Sequence, residues 1–293
     1  MVMKIIEIEQ GLLLEDVPHF DARHIFECGQ CFRWKREEDG SYTGVAHGRV
    51  LNVKSDYENS RVILKNTNRS DFDNIWFHYF DLGRDYGAIK DILSEDEILK
   101  GAIGYGRGIR ILNQDPWELT LSFIISSNNN IPRITKSIGV LSELFGQPMD
   151  YEGNRYFSFP TLEELKNAEV EQIDLCRMGY RCKYIHQTIQ MLSSGELLDL
   201  STISHLDTAE ARQELLKLSG VGPKVADCIL LFSMQKHEVY PTDVWVKRVT
   251  EYFYLHKEVP LKKIQEFAKE KFGPLAGFAQ QYLFYYARDQ KIK

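Results

Sequence analysis

A lysine follows a pair of glycines at the point where a helix is predicted to begin. Residues 218–222 read Leu-Ser-Gly-Val-Gly and are followed by Pro223 and Lys224. Two glycines around one apolar residue permit a tight hairpin, and proline is favoured in a first helical turn. The exposed amides at such a helix N-terminus can bind phosphate without any side-chain charge. The same positive helix end disfavours an ammonium group, so Lys224 could act there as an amine nucleophile.

Two further side chains could take part in that chemistry. Cys228 lies four residues after Lys224, on the same face of the predicted helix, and the two groups could share a proton as thiolate and ammonium or both stay neutral. Asp243 follows Pro241 and is placed to cap the next helix, where its carboxylate could face positive charge developing at a sugar C1′. Taken singly, each has a structural alternative: Lys224 as a solvated surface lysine, Asp243 as a plain N-cap.

The elements that would position these residues fall into two groups. The first hundred residues read as short strands separated by glycine turns, which is typical of an antiparallel sheet with helices covering one face. Residues 101–108 contain four glycines and predict a flexible connector. From Asp115 onward the pattern is helical, with Pro116 at the first helical position.

We therefore predict an α+β fold. Residues 1–112 would form an antiparallel β-rich domain with covering helices, and residues 113–293 a mostly α-helical body of two subdomains that contains the hairpin. The longer helical runs are predicted at 133–145, 161–176, 183–194, 207–217, 223–233, 243–255, 261–271 and 274–288.

Composition narrows the class of protein. The chain has 293 residues, of which 43% are hydrophobic, which excludes a disordered chain. It has no apolar run of about 20 residues, no signal-peptide pattern at its start, and five cysteines at low density. We expect a cytoplasmic, prokaryotic protein. The net charge of −6 lies entirely in residues 1–100, so a nucleic-acid face would be a local patch in the remainder.

The hairpin and the segment after it resemble a known family. Residues 218–228, with Pro-Thr-Asp-Val at 241–244, are similar to the helix-hairpin-helix DNA glycosylases, and more narrowly to their 8-oxoguanine DNA glycosylase branch. Further segments resemble signatures of that branch, in the family's order: 29–34, 126–133, 179–184, and 273–280 with Phe284.

The resemblance implies a bifunctional DNA glycosylase and AP lyase. Such an enzyme flips 8-oxoguanine out of duplex DNA, best opposite cytosine, and nicks the strand by β-elimination. Lys224 would attack C1′ and form a Schiff base, while Asp243 would stabilise the cationic sugar. The implied partner is double-stranded DNA containing 8-oxoguanine, acted on by a monomer away from membranes. No cofactor or catalytic metal is implied, although the Leu218 and Val221 carbonyls could hold a structural cation.

The resemblance also assigns the residues that would recognise DNA. The Gly29 carbonyl would accept the N7 proton that distinguishes 8-oxoguanine from guanine, and Asn128 would enter the space left by the flipped base. The residues implied to bind the base are Gly29, Cys228, Pro241, Gln280 and Phe284. Those implied to bind DNA are Asn128, Arg133, Tyr180, Arg181, Gly220, Gly222, Val225 and Trp245. Arg133 and Arg181 would read the partner base, with plain phosphate binding as their alternative, and Trp245 stands where the family often has histidine.

Two other classes remain open at this point. A non-catalytic helix-hairpin-helix DNA-binding module would explain the hairpin, but not Lys224, Asp243 and Gln280 together. A monofunctional glycosylase for alkylated bases would need only Asp243 and water, and Lys224 argues against it. The related endonuclease-III-type enzymes hold an iron–sulfur cluster through C-terminal cysteines; no cysteine follows Cys228, so we expect no cluster.

Overall fold

The computed structural model describes residues 3–195 and 197–290, and its N-terminal part is an antiparallel sheet. Six strands lie in the order β1-β2-β6-β5-β4-β3. Their bounds are β1 Lys4–Ile8, β2 Gly11–Glu15, β3 Trp34–Arg36, β4 Tyr42–Ala46, β5 Arg49–Asp56 and β6 Arg61–Lys65. A two-residue turn at His47 and Gly48, with φ of 49° and 67°, pairs Val45 with Val50. The predicted antiparallel sheet is confirmed.

Helices accompany the sheet and make up the rest of the molecule. The first group is α1 Ala22–Phe26, α2 Arg69–Asp71, α3 Phe77–Tyr79, α4 Tyr86–Leu93 and α5 Glu97–Tyr105. The second group is α6 Pro116–Ser126, α7 Ile131–Phe145, α8 Leu162–Leu165, α9 Val170–Asp174, α10 Arg181–Ser193, α11 Leu200–His205, α12 Thr208–Leu215, α13 Pro223–Ser233, α14 Val244–Thr250, α15 Leu261–Phe272 and α16 Ala276–Gln290. Phe72–Trp76 and Glu251–Leu255 are π-helical, and Gly273–Leu275 is a 3-10 turn. None of the described helices has the length and apolar character to span a membrane.

The sheet buries one face in a core of its own. Leu12 and Leu14 of β2 are fully buried, while the residues between and beside them are only half-buried, as the two-residue period of a strand requires. Phe26 of α1 stacks on Trp34 of β3 with ring centroids 4.0 Å apart. This smaller core is closed by the aromatic residues of 72–80.

The prediction of a flexible connector at 101–108 is wrong for its first half, because residues 101–105 belong to α5. The Asp96 side chain accepts the backbone N–H groups of Ile98 and Leu99 and starts α5. Leu99, Ala102 and Ile103 of that helix are buried in the larger core. Capping and burial of one face outweigh the cost of two helical glycines, about 1 kcal/mol each relative to alanine.

The helical body differs from the prediction in two further places. The run predicted at 161–176 is two short helices, α8 and α9, of which α8 begins with a capping box at Thr161 and Glu164. A hairpin of β7 Pro148–Tyr151 and β8 Asn154–Phe157 precedes them and was not predicted. Its strands are four residues long and partly exposed, so their sequence carries little apolar alternation.

A half-buried ion pair joins the sheet domain to the helical body. Arg33, just before β3, lies 3.6 Å from the Glu118 carboxylate of α6, and the two side chains are 11% and 19% exposed. Arg33 also donates a hydrogen bond to the Phe157 carbonyl of β8. Burial raises the pKa of Glu118 to about 7, and the charge of Arg33 acts in the opposite direction. The arginine therefore offsets the cost of enclosing a carboxylate at the domain junction.

Replacing Arg33 with methionine should destabilise the protein in a pH-dependent way. Because the pKa of Glu118 is raised from 4.5 to about 7, its stability contribution is full below pH 4.5 and lost as the pH rises through 7. The loss of stability at high pH is larger when Arg33 is replaced, because its charge no longer lowers the pKa of Glu118. We expect Arg33→Met to lower the free energy of unfolding by about 2 kcal/mol at pH 8 and by much less at pH 5, measured by urea titration.

The double variant Arg33→Met, Glu118→Gln is the control, because it removes the carboxylate whose charge causes the effect. Its unfolding free energy should not fall between pH 5 and pH 8 beyond the drift of the unchanged protein. An equal loss for Arg33→Met at both pH values would mean that packing, not charge, explains the variant.

Candidate active site

The predicted hairpin lies between α12 and α13 and rests on two other helices. Val221 donates its backbone N–H to the Leu218 carbonyl at 3.2 Å and closes the turn. Gly220 has φ +81°, and a Cβ built there would lie 2.8 Å from the Tyr184 Cβ and 3.0 Å from the Ile124 Cγ2. Glycine is therefore required twice at 220, for its backbone conformation and for the close approach of α10 and α6.

The first turn of α13 keeps its amides open. Gly222 is the N-cap, in extended conformation, and no side chain caps the helix. The first helical bond runs from the Ala226 N–H to the Gly222 carbonyl, so the Lys224 and Val225 N–H groups have no helical acceptor. Gly222 itself is exposed. This is the arrangement that binds a phosphate oxygen at a helix N-terminus.

Lys224 lies beside a cluster of three phenylalanine rings, Phe32, Phe123 and Phe232, which we call the aromatic wall. Its Nζ lies 4.9 Å from the centroid of the Phe123 ring of α6. Phe123 is in turn contacted by Phe32 at 5.5 Å and by Phe232 at 5.8 Å between ring centroids. The sequence analysis did not assign these three residues to the site. Phe123 and Phe232 lie in apolar helical runs, where phenylalanine is usually core, and Phe32 lies in the loop before β3. The one sequence signal for a role in the site was that Phe32 lies within 29–34, a segment that resembles a signature of the glycosylase branch.

Cys228 and Asp243 share the electrostatic environment of Lys224. Burial raises the pKa of the Cys228 thiol to about 11; Lys224 lowers it, and the Asp243 carboxylate is near enough to raise it. The thiol is therefore neutral at pH 7, which disfavours the thiolate–ammonium pair. Two charged residues 19 positions apart in sequence, Lys224 and Asp243, thus act on the same thiol.

Asp243 is the N-cap of α14, as predicted. Its Oδ1 accepts the Val246 N–H at 2.8 Å, and its side chain is half-buried. Pro241, two residues earlier, is buried. Trp245 is half-buried, and the centroid of its ring lies 5.9 Å from the Arg248 guanidinium. The carboxylate is thus held by the helix that it starts.

Of the predicted base-binding residues of α16, Gln280 is buried and Phe284 lies beside Gly29. Gln280 is 4% exposed, and its Oε1 has no hydrogen-bond donor among the described residues. Phe284, one turn later, lies against Gly29: a Cβ added there would be 3.0 Å from its ring. A buried amide oxygen without a partner costs about 1–3 kcal/mol, so the Gln280 Oε1 is an acceptor that the described part of the fold leaves open.

The predicted DNA-contacting residues meet only in part. Arg181 is buried, and its guanidinium donates to the carbonyls of Asn128, at 2.8 Å, and of Met178 and Ser127. It also lies 4.5 Å from the ring of Tyr180, whose side chain is 54% exposed. Asn128 is exposed, with φ +48°. Arg133 is exposed on α7, and no contact joins its side chain to the other three among the described residues.

A large cavity of the molecule lies elsewhere. It has a volume of about 730 Å³ and is lined by residues of α12 and α15, including Arg212, Lys262 and Gln265. It contains none of the predicted site residues. Its walls carry both acidic and basic side chains at the surface.

Two family descriptions cover most of the chain. Residues 12–120 match the family described as 8-oxoguanine DNA glycosylase, N-terminal domain. Residues 121–274 match the HhH-GPD superfamily of base excision DNA repair proteins. The boundary between the two matches falls inside α6, the helix that carries Phe123 and Glu118.

Individual proteins are similar over most of their length. A probable N-glycosylase/DNA lyase of Methanothermobacter thermautotrophicus is 36% identical over 231 residues, 72% of this chain and 73% of that protein. The N-glycosylase/DNA lyase OGG1 of Arabidopsis thaliana is 31% identical over 273 residues, 88% of this chain and 75% of that protein. The crystal structure of the Clostridium acetobutylicum 8-oxoguanine glycosylase/lyase, bound to double-stranded DNA with cytosine opposite 8-oxoguanine, superimposes with a TM-score of 0.96 at 47% identity, covering 99% of both chains.

The two glycines of the hairpin should respond differently to alanine. Gly220→Ala forces a side chain into positive φ and against Tyr184, so we expect a loss of about 2 kcal/mol in unfolding free energy. A Cβ at Gly222 meets nothing within 4 Å, so Gly222→Ala should lose less than about 1 kcal/mol. Urea titration of both variants tests this, and equal losses would contradict the hairpin geometry.

Proposed function

The chain belongs to the HhH-GPD superfamily of base excision DNA repair proteins, in its 8-oxoguanine DNA glycosylase branch, and from that premise we infer that it removes 8-oxoguanine from double-stranded DNA. It is a DNA N-glycosylase with lyase activity. The observation that carries the assignment to this site is Lys224, in the open first turn of α13, with Cys228 and Asp243 in the same electrostatic environment.

Lys224 supplies the nucleophile. In its neutral form the amine attacks C1′, the C1′–N9 bond breaks, and the base leaves with the electron pair and takes up a proton. Loss of the amine proton and opening of the sugar ring give a Schiff base. Removal of a C2′ proton then breaks the C3′–O3′ bond, so that the strand is cut 3′ to the lesion. Water finally hydrolyses the imine and frees Lys224.

Asp243 stabilises the positive charge that develops on the sugar as the base departs. Its second carboxylate oxygen is left for this task, because Oδ1 accepts the Val246 N–H. The Phe123 ring, packed against Phe32 and Phe232, places an apolar surface beside the amine, where such charge interactions are stronger than in water. The same carboxylate assists the proton transfers of the elimination.

The flipped base would be bound between α13 and α16. Phe284 stacks on one face of the base and Cys228, as a neutral thiol, closes the other, with Pro241 at the rim. The unpartnered Gln280 Oε1 accepts from the Watson–Crick edge, where guanine carries N–H donors. The Gly29 carbonyl accepts the N7 proton that guanine lacks.

The complementary strand would be read by the loop after α6 and the start of α10. Asn128 fills the space of the flipped base, Tyr180 wedges beside its partner, and Arg133 and Arg181 favour cytosine there. For this contact the Arg181 guanidinium exchanges part of its bonds to the Ser127 and Asn128 carbonyls for the base. The backbone amides of Gly220, Gly222 and Val225 bind phosphate, and Trp245 packs near the DNA backbone. The protein works as a monomer on duplex DNA in the cytoplasm, with a structural cation at the Leu218 and Val221 carbonyls.

Lys224→Gln should abolish base release and keep DNA binding. The amide is similar in size but is not a nucleophile, so we expect excision of 8-oxoguanine opposite cytosine to fall by at least about 10³-fold, since covalent catalysis is lost. With the unchanged protein, borohydride should trap a protein–DNA adduct on the lesion duplex only. The variant should give no adduct, and its affinity for the same duplex should stay within about threefold.

The outcomes separate the rival mechanisms. Base release without an adduct in the unchanged protein would make water the nucleophile and give Asp243 the central role. Neither adduct nor release, with binding retained, would leave a DNA-binding module. Adduct formation by Lys224→Gln would remove Lys224 from the mechanism.

Asp243→Asn separates the capping role of this residue from its catalytic role. The asparagine oxygen can still accept the Val246 N–H, because asparagine caps helices as well as aspartate does. We expect the melting temperature to change by less than about 3 °C, and single-turnover excision to fall by at least about 10²-fold. Asp243→Ala, which loses both functions, should be both inactive and less stable. Full activity in Asp243→Asn would contradict a catalytic carboxylate.

A further inference from the structure

Three of the four carbonyl groups of residues 27–30 accept hydrogen bonds from side chains outside their own segment. We call these residues the Gly29 loop. The Arg288 guanidinium donates to the Glu27 carbonyl at 2.7 Å, and the Gln281 amide donates to the Cys28 carbonyl at 2.8 Å. The Gln30 carbonyl accepts from the side chain of Gln114 at 2.8 Å. Three of the four peptide orientations are thus set by side chains from α16 and from the start of the helical body.

The remaining carbonyl of the loop, that of Gly29, receives no donor from residues 3–195 or 197–290. Its residue is half-buried and has φ +84°, and it lies against Phe284. An acceptor in such a place, with its neighbours all bonded, is left available to a ligand rather than to the fold. The flanking bonds also prevent the loop from turning this carbonyl toward a protein donor instead.

The two donors of α16 are close to the base-binding residues on the same helix. Gln281 is 2% exposed and directly follows Gln280. Arg288 lies one turn after Phe284, with its guanidinium 5.7 Å from the centroid of that ring, and a Cβ at Gly29 would be 3.6 Å from its Nη1. One helix therefore carries both the groups that would touch the base and the groups that hold the loop.

We propose that Gln281 and Arg288 are positioning residues for lesion discrimination: they fix the Gly29 carbonyl at the place where it accepts the N7 proton of 8-oxoguanine. The proposal rests on the proposed function, since it concerns the same site. Guanine has an acceptor, not a donor, at N7, and would oppose this carbonyl with a second lone pair. A loop that could tilt would relieve that clash and lose the hydrogen bond, so selectivity depends on its rigidity.

Gln281→Met tests the proposal, because methionine keeps the length and volume of the side chain but cannot donate. We expect single-turnover excision of 8-oxoguanine to fall by about tenfold, the value of one misplaced hydrogen bond. Nicking of a preformed abasic duplex, which has no base to recognise, should stay within about threefold. In a Lys224→Gln background, the ratio of affinities for lesion and undamaged duplexes should also fall by about tenfold.

Asn113→Leu is the matched control. Asn113 is also buried and donates its side-chain amide to a remote carbonyl, that of His78 at 2.7 Å, but it does not touch the Gly29 loop. It should lose stability as Gln281→Met does, while keeping both the ratio of excision to abasic nicking and the ratio of affinities. Arg288→Met, at a half-buried position, provides a second test should Gln281→Met fail to fold, with the same direction of change.

The results discriminate clearly. If the unchanged protein does not excise 8-oxoguanine, the proposed function fails. If it does, and Gln281→Met and Arg288→Met keep both ratios, the positioning role is overturned. If Gln281→Met and Arg288→Met lose excision and abasic nicking equally, the two residues only support the structure and the positioning role is overturned. The same conclusion follows if Asn113→Leu changes both ratios as much as they do.

Discussion

Helix α13 has to be buried along its length and open at its first turn. From Val225 to Phe232 every residue is buried, so packing fixes the helix in place, and its open N-terminal turn is the part at which we propose that DNA binds. The hairpin makes this possible, because Gly220 lets the chain turn against Tyr184 and Ile124 and leaves the Lys224 and Val225 amides uncovered. Lys224, the proposed nucleophile, thus lies on a rigid element at the boundary between core and solvent, where its position is set by packing rather than by a mobile loop.

Several residues serve the fold and the site at once. Asp243 starts α14 with one carboxylate oxygen. Arg181 holds the loop at 127–128 with its guanidinium, which shapes the loop that carries Asn128. Gln30 is fully buried, and its amide binds the carbonyls of Ile25 and Arg110 and the N–H of Leu112. That last set anchors the end of the Gly29 loop to the junction between the sheet domain and the helical body.

Much of the fold could be predicted, because its signals are local. Helix starts at Asp115 and Thr161 follow from capping side chains a few residues from the amides they bind, and the sheet follows from short strands between glycine turns. The errors have the same origin. Glycines at 101 and 104 indicated a connector, but the apolar face of α5 is buried by distant parts of the chain, and local propensity could not show that. The β7–β8 hairpin is too short and too exposed to carry a pattern.

By itself the sequence determined the chemistry available: an amine at a helix N-terminus, a thiol one turn later, a capping carboxylate, and a resemblance that named the base they act on. These features depend on residues within one or two helical turns of each other, so the order of residues along the chain is enough to specify them. Only the tertiary structure decided what surrounds them. The aromatic wall at Lys224 joins distant segments of the chain, and the donors of Gln281 and Arg288 reach the Gly29 loop across up to 261 positions. The described residues leave the Gln280 oxygen without a donor. Whether a buried polar atom is satisfied depends on which distant groups reach it, and that is settled by packing alone.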